Sequence, residues 1–184
     1  MPPWPRVVPR RLAGRVNRLN RRHRVVIVPD PMHLTEILKP DFIRVPLEAT
    51  AKQAVIFELV DLLAEKVGLT DSQPLRDAVW SREMTRTTGI GHGLAIPHGK
   101  LTGLGGLCMA MGVAREPIEF GAIDGCPVEL VMLLASPIDQ TGPHIQALAQ
   151  ISKVMTDAAF RNQLKTAESA EGLYATLQAW EQQG

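Results

Sequence analysis

The eight-residue run 128–135, VELVMLLA, is the feature that most constrains how this chain can fold. It is apolar almost throughout, a pattern typical of a strand in the core of a sheet. The turn-forming residues Asp124 and Gly125 stand just before it. Two shorter apolar segments, 94–97 and 107–113, are predicted as further strands. The chain is therefore expected to contain a buried sheet.

Segments with apolar residues at helical spacing flank these strands along the chain. The first predicted helix ends before Gly68, and the second begins near Pro74, with Asp71 or Ser72 available to cap it. The predicted helices span residues 47–67, 75–84, 145–155, 158–165 and 170–180. Because helices and strands interleave from Leu34 onward, the predicted fold class is α/β, with a single sheet covered by helices.

Length and composition limit the classes of protein. A chain of 184 residues suits one domain with a short appendage. Cys108 and Cys126 do not form a CxxC metal motif, and two cysteines do not suggest a disulfide framework, so a reducing, cytoplasmic setting is expected. No apolar run reaches the ~20 residues of a membrane-spanning helix, so no membrane span is expected.

Residues 1–31 are set apart by their charge. Residues 1–30 hold eight arginines and one acid, whereas the rest of the chain carries 12 basic and 18 acidic residues. Such a segment fits non-specific binding to nucleic acid or anionic lipid, and it resembles a transit peptide except that it lacks serine. The favoured interpretation is a disordered tail, or an extension upstream of Met32, so nucleic-acid binding is not expected. The domain is assigned to residues 32–184.

The segment 87–100, TTGIGHGLAIPHGK, is the candidate for chemistry. It lacks the Gly-Lys-Ser/Thr ending of a P-loop, and Leu94 stands where the dinucleotide motif GxGxxG requires a glycine. A metal site would need acids or thiols at close spacing to His92 and His98, and none is nearby, although His144 could complete a three-histidine site after folding. Loop histidines bonded to backbone carbonyls are the simplest alternative, and for His92 that interpretation is preferred.

The surroundings of His98 favour a reactive role. Four glycines around it, the nearest being Gly99, remove side chains and would let another protein approach closely. Pro97 restricts the backbone immediately before it. An imidazole is uncharged and nucleophilic near neutral pH, which suits it to accept a phosphoryl group reversibly.

The longer segment 82–100, REMTRTTGIGHGLAIPHGK, closely resembles the active-site signature of phosphotransferase-system (PTS) enzyme IIA domains of the mannitol/fructose class. This class includes the nitrogen-regulatory IIA proteins. The signature runs from an acid or amide, Glu83, through Ile90 and Gly91 to an apolar-Ala-apolar-Pro-His-small motif, LAIPHG. The segment 124–155 resembles the second conserved block of the family. The resemblance covers most of residues 32–181.

This resemblance implies a single mixed β-sheet flanked by helices, and a cytoplasmic phosphocarrier. In such proteins the histidine after the proline takes a phosphoryl group from the phosphohistidine of the carrier HPr or its nitrogen-branch counterpart. His98 is then the phospho-acceptor, forming a tele-phosphohistidine, with Arg82 as the active-site arginine and His144 as the second active-site histidine. No cofactor or metal is implied, because the donor is already a phosphohistidine. His92 stands where many relatives have asparagine.

Two functions stay open at this point. One is a regulatory phosphocarrier of the nitrogen branch, which binds target proteins according to its phosphorylation state. The other is a sugar-transport component that passes phosphate to a cysteine of enzyme IIB for fructose- or mannitol-type uptake. The regulatory function is favoured because TTGIGHGLAIPHGKL is most similar to the nitrogen-regulatory type. The presence of His98, Arg82 and His144 argues against a third alternative, an inactive IIA-like interaction module.

Overall fold

A computed structural model describes residues 32–183, and the predicted basic extension therefore lies outside the described residues. Two short 3-10 helices, Leu34–Glu36 and Pro40–Phe42, precede the first strand. The strands are β1 (Ile43–Leu47), β2 (Gly89–Gly91), β3 (Leu94–Ala95), β4 (His98–Leu101), β5 (Cys108–Ile118) and β6 (Val128–Pro137). The helices are α1 (Lys52–Val67), α2 (Gln73–Thr85), α3 (Thr141–Val154), α4 (Ala158–Lys165) and α5 (Ala170–Glu181).

The six strands form one mixed sheet, as predicted. Its order is β1-β5-β6-β3-β2, and β4 also pairs with β6, beyond β3 along the same edge. β1 is parallel to β5, and β3 and β4 are both parallel to β6. The pairs β5–β6 and β2–β3 are antiparallel. β6, which contains the predicted core strand, thus pairs with β3, β4 and β5.

Helices cover the two faces of the sheet, which divides the core in two. Along β6, Val131 and Leu133 pack in the cluster that contains the buried residues of α1 and α2. Leu130, Met132 and Leu134 pack in the cluster that contains those of α3, α4 and α5. All five side chains are fully buried. This explains why the segment is apolar without alternation, because both faces of the strand are covered.

Three strands were absent from the sequence-based prediction. β1 ends at Leu47, the first residue of the segment predicted as a long helix, and α1 begins only at Lys52. β1 contains Pro46, and β1, β2 and β4 are short and carry glycine, proline or charged residues, so neither periodicity nor propensity marks them. They are strands because β5, β3 and β6 pair with them.

The first described residues already pack against the core of the domain. Leu34 and Leu38 are fully buried in the α3–α5 core cluster. The carboxylate of Glu181, at the end of α5, accepts hydrogen bonds from the backbone N–H of Leu34 and, at 2.6 Å, from the hydroxyl of Thr35. These contacts are consistent with a domain that begins near Met32, and that boundary stays a prediction. Within residues 32–183, no helix has the length and apolar character needed to cross a membrane.

Candidate active site

His98 is the first residue of β4 and is held in one tautomer by the backbone. Its Nδ1 lies 2.8 Å from the carbonyl oxygen of Ile96. A carbonyl oxygen only accepts hydrogen bonds, so Nδ1 carries the proton and Nε2 keeps its lone pair. Pairing of His98 with Leu134 in β6 holds the backbone of the histidine in the sheet. The half-buried ring therefore presents a nucleophilic Nε2.

The surroundings keep the His98 ring uncharged. Burial lowers the pKa of His98 below its ordinary value, and the positive charge of Arg82 adds to this effect. The hydrogen bond to Ile96 and the charge of Glu83 oppose it without reversing it. A neutral imidazole is the form that can attack phosphorus, so the nucleophilic form dominates at neutral pH.

His144 lies beside His98, although 46 positions separate them in the sequence. It occupies the first turn of α3, and the centroids of the two imidazole rings are 5.5 Å apart with a 60° angle between the planes. The Nδ1 of His144 is 2.7 Å from the hydroxyl oxygen of Ser136, and His144 is only 5% exposed. Burial, together with the nearby His98 and the charge of Lys100, lowers the pKa of His144 to about 4. It is therefore uncharged at neutral pH.

Arg82 lies in the last turn of α2 and shares a pocket with His98. The pocket has a volume of about 270 Å³, and Ile123 also lines it. Nη1 of Arg82 donates a hydrogen bond of 2.8 Å to the carbonyl oxygen of Arg86. Since that bond uses one N–H, the half-exposed guanidinium keeps further N–H groups for an anion in the pocket. The structure thus brings together the three residues singled out from the sequence.

Close packing of α2 on β4 places the arginine near the histidine. Gly99, the residue after His98, has no side chain, and a Cβ there would collide with Val79 of α2. Arg82 is three residues after Val79 and therefore on a neighbouring position of the same helix face. The glycine lets the helix approach the strand, so it sets the separation between the guanidinium and the imidazole.

An ion pair with a buried carboxylate lies next to the pocket, and the sequence-based prediction missed it. The carboxylate of Glu83 is fully buried, and Lys52 at the start of α1 contacts it at 2.5 Å. The same carboxylate accepts hydrogen bonds from the backbone N–H and the hydroxyl of Thr88, which lines the pocket. Glu83 and Lys52 are 31 positions apart, and no motif marks the lysine, so only the fold reveals the pair.

Two of the four glycines around His98 do not have the role expected from the sequence. A Cβ on Gly89 would lie 2.8 Å from Cα of Ala122, and one on Gly99 would meet Val79. Both glycines therefore allow close packing inside the domain, and the expectation that they open the backbone to another protein is wrong for these positions. The other two, Gly91 and Gly93, flank the β2–β3 turn with φ of 93° and 73°.

His92 lies in a turn, whereas His98 begins β4 and His144 lies in α3. His92 occupies the β2–β3 turn with a φ of 57°, and its backbone N–H donates to Asp124 at 2.8 Å. Residues with a side chain seldom adopt this left-handed conformation, and asparagine, aspartate and histidine adopt it more often than most. Among residues 32–183, no three His, Cys, Asp or Glu side chains form a group suited to a metal ion, so His92 does not join His98 and His144.

Comparison with known proteins shows which chains this protein is similar to. The family model described as "Phosphoenolpyruvate-dependent sugar phosphotransferase system, EIIA 2" matches residues 36–180. The chain is 36% identical over 149 residues to the nitrogen regulatory protein of Klebsiella oxytoca, covering 79% of this chain and 90% of that protein. It is 32% identical over 142 residues to the fructose-specific EIIABC component of Bacillus subtilis, covering 77% of this chain but only 22% of that longer protein.

Solved structures show the same fold. The nitrogen regulatory protein IIA-Ntr from Neisseria meningitidis superposes with a TM-score of 0.73 at 33% sequence identity, covering 78% of this chain and 98% of that one. The mannitol IIA of Escherichia coli has a TM-score of 0.65 at 20% identity, covering 76% of this chain and 97% of that one, which shows the shared fold. With its sequence signature, its mixed sheet and the match across residues 36–180, the chain belongs to the EIIA type 2 family of the phosphoenolpyruvate-dependent sugar phosphotransferase system.

Proposed function

We propose that the protein is a phosphocarrier that accepts a phosphoryl group on Nε2 of His98 from a phosphohistidine of an HPr-like carrier protein. The observation that carries this proposal is the hydrogen bond from Nδ1 of His98 to the carbonyl oxygen of Ile96. It leaves the lone pair of Nε2 free, on a ring that shares a pocket with Arg82. Phosphorylation at Nε2 gives the tele-phosphohistidine.

The proposed step is a direct transfer of the phosphoryl group from a ring nitrogen of the donor histidine to Nε2 of His98. The N–P bond of the donor phosphohistidine breaks and returns its electron pair to the donor ring, while Nε2 of His98 forms the new N–P bond. The Nδ1 proton stays in place, and the carbonyl dipole of Ile96 stabilises the positive charge that develops on the ring. Transfer of this kind relies mainly on alignment and on neutralising the phosphoryl oxygens.

Arg82 and His144 supply that neutralisation in the proposal. A guanidinium offers parallel N–H donors that match two phosphoryl oxygens, and Arg82 lines the pocket that His98 also lines. His144 is uncharged at neutral pH because burial depresses its pKa, so it acts as a neutral hydrogen-bond partner rather than as a second cation. Both residues contact the transferred group in this scheme, whereas Glu83 and Lys52 only support the pocket wall.

Exposed apolar side chains near the site support transfer between proteins. Ile123, which lines the pocket, is 67% exposed. Ile145, next to His144, is 59% exposed. Large apolar side chains in water at a reactive site are typical of a surface that another protein covers. We therefore place the docking surface of the carrier around Ile123 and Ile145.

Within the family, we favour the regulatory phosphocarrier of the nitrogen branch. Identity is 36% with the nitrogen regulatory protein of Klebsiella oxytoca and 32% with the fructose-specific EIIABC component. The TM-score is 0.73 with IIA-Ntr and 0.65 with mannitol IIA. The alternative is a sugar-transport component that passes phosphate to enzyme IIB. It has support from the similar identity to the EIIABC protein and from a protein of the same fold, Escherichia coli mannitol IIA, which forms a complex with phosphorylated IIB.

A donor competition tests the function and separates the two alternatives. The full chain is incubated with phosphoenolpyruvate, enzyme I and either HPr or the nitrogen-branch carrier. The proposal expects one acid-labile phosphoryl group per chain, and the regulatory version expects faster labelling from the nitrogen-branch carrier. Faster labelling from HPr, followed by transfer to a IIB domain, would establish the transport alternative. Failure to label with either donor would contradict the phosphocarrier function itself.

A further inference from the structure

The buried hydroxyl of Ser136 lies next to the site, and the steps proposed above do not use it. Ser136 lies near the end of β6, opposite Lys100 of β4, and it is fully buried. Its Oγ is 2.7 Å from Nδ1 of His144. Ser136 lies within the segment 124–155 that resembles the family's second block, but that resemblance assigns it no role.

The hydroxyl proton of Ser136 determines the tautomer of His144. A buried hydroxyl is costly unless its proton has an acceptor. In the part of the chain that the structure describes, Nδ1 of His144 is the only hydrogen-bond partner of Ser136 Oγ. The hydroxyl therefore donates, and Nδ1 of His144 accepts with its lone pair. A neutral imidazole with an acceptor at Nδ1 carries its proton on Nε2.

The two histidines are thus held in opposite tautomers. In His98 the carbonyl of Ile96 keeps the proton on Nδ1, which leaves Nε2 as the nucleophile. In His144 the serine occupies Nδ1, which leaves Nε2–H as the donor available to a ligand. A phosphoryl group on His98 carries anionic oxygens, and an N–H group stabilises them whereas a nitrogen lone pair would repel them.

We propose that Ser136 is a positioning residue that holds His144 as an Nε2–H donor toward the phosphoryl group on His98. This inference rests on the proposed phosphocarrier function. It assigns to Ser136 no contact with the transferred group. The serine acts only through the proton of His144, so its effect on transfer should follow the tautomer of that ring.

The test compares the full-length wild-type chain with Ser136→Ala and Ser136→Thr. Ring nitrogen NMR of ¹⁵N-labelled protein reports which nitrogen of His144 is protonated, because protonated and unprotonated ring nitrogens have well-separated shifts. The wild type and Ser136→Thr should show Nδ1 unprotonated and Nε2 protonated. Ser136→Ala should lose this preference and accept phosphate about tenfold more slowly, the effect of one hydrogen bond. A thermal unfolding curve confirms that each variant is folded.

Two outcomes overturn the inference. One is a wild-type His144 with its proton on Nδ1, a measurement that needs no variant. The other is a transfer rate that does not follow the His144 tautomer across the three proteins. Both leave the proposed function intact if the wild type still takes up phosphate. A wild type that accepts no phosphoryl group would instead contradict the proposed function, and the NMR result would still report on the Ser136–His144 bond.

Discussion

Gly99 of β4 and Val79 of α2 are packed so closely that no side chain fits between them. A Cβ built on Gly99 would lie 2.8 Å from Cγ2 of Val79 and 3.1 Å from its backbone nitrogen. Because Arg82 follows Val79 by one helical turn and His98 precedes Gly99, this contact fixes the separation of the two proposed catalytic groups. The same contact therefore contributes to the packing of the domain and to the geometry of the site.

Gly99→Ala should lower both the stability of the domain and the rate of phosphoryl acceptance. The added methyl overpacks the α2–β4 contact, which typically costs about 1 to 3 kcal/mol in the free energy of unfolding. It also moves Arg82 away from His98, so we expect slower phosphoryl acceptance even at temperatures where the variant is folded. Urea unfolding and the labelling rate measure the two effects.

Gly106→Ala is the matched control, because a Cβ on Gly106 meets no atom within 4 Å. It should leave both the free energy of unfolding and the labelling rate nearly unchanged. If the two alanine variants behaved alike, the α2–β4 contact would not set the site geometry.

Lys52→Met should destabilise the domain by about 3 kcal/mol or more, because it leaves the buried Glu83 carboxylate without its cation. Lys66→Met is the control: Lys66 pairs with the largely exposed Glu65, and such surface pairs contribute ~0 to 1 kcal/mol. Chemical unfolding of both variants checks the prediction. Adding Glu83→Gln to Lys52→Met should recover part of the loss, and no recovery would argue that the lysine acts by packing alone.

The stability should fall as the pH is lowered toward 4, and His144 should account for part of the loss. Its pKa is about 4 in the folded chain, well below the ordinary 6.5, so between these values the unfolded chain binds a proton that the folded chain does not. The free energy of unfolding therefore decreases with decreasing pH, by up to about 1.4 kcal/mol per pH unit for one group. The lowered pKa of His98 acts in the same direction.

Unfolding measured between pH 7 and pH 5 in the wild type and in His144→Gln tests this contribution. Titrating groups that do not interact with His144 are common to both proteins and cancel in the difference. The variant should show a shallower dependence on pH. An identical dependence would mean that the His144 ring is protonated as readily in the folded chain as in the unfolded one.

Ile123→Asp should impair recognition of the donor without impairing the fold. Ile123 is 67% exposed and lines the pocket of His98, so a charge there would be buried against the donor protein. We expect the KM for the phosphorylated carrier to rise about tenfold or more, with kcat less affected. Gln163→Glu adds a negative charge on α4, which contributes no residue to that pocket, and should leave KM unchanged. Equal KM values for all three proteins would move the docking surface elsewhere.

The sequence predicted the elements that carry a long, regular pattern. The helix over 158–165 was predicted with the bounds that the structure shows, and the apolar strand over 128–135 is the centre of the sheet. β2 and β4 were missed because their pairing comes from neighbouring strands and not from their own residues. Lys52 and Ser136 could not be identified from the sequence for a similar reason. Each acts through a partner that only folding brings near, whereas His98 stands in a continuous motif that can be recognised directly.

The nitrogen that carries the phosphoryl group is the most direct test of the account. NMR of the ¹⁵N-labelled, phosphorylated full chain identifies it through the coupling between phosphorus and the ring nitrogen. We predict one phosphoryl group, on Nε2 of His98, and none in His98→Gln, while His144→Gln is still labelled at His98 but more slowly. A phosphoryl group on Nδ1 of His98 or on His144, or a His98→Gln variant labelled as fast as the wild type, would contradict it.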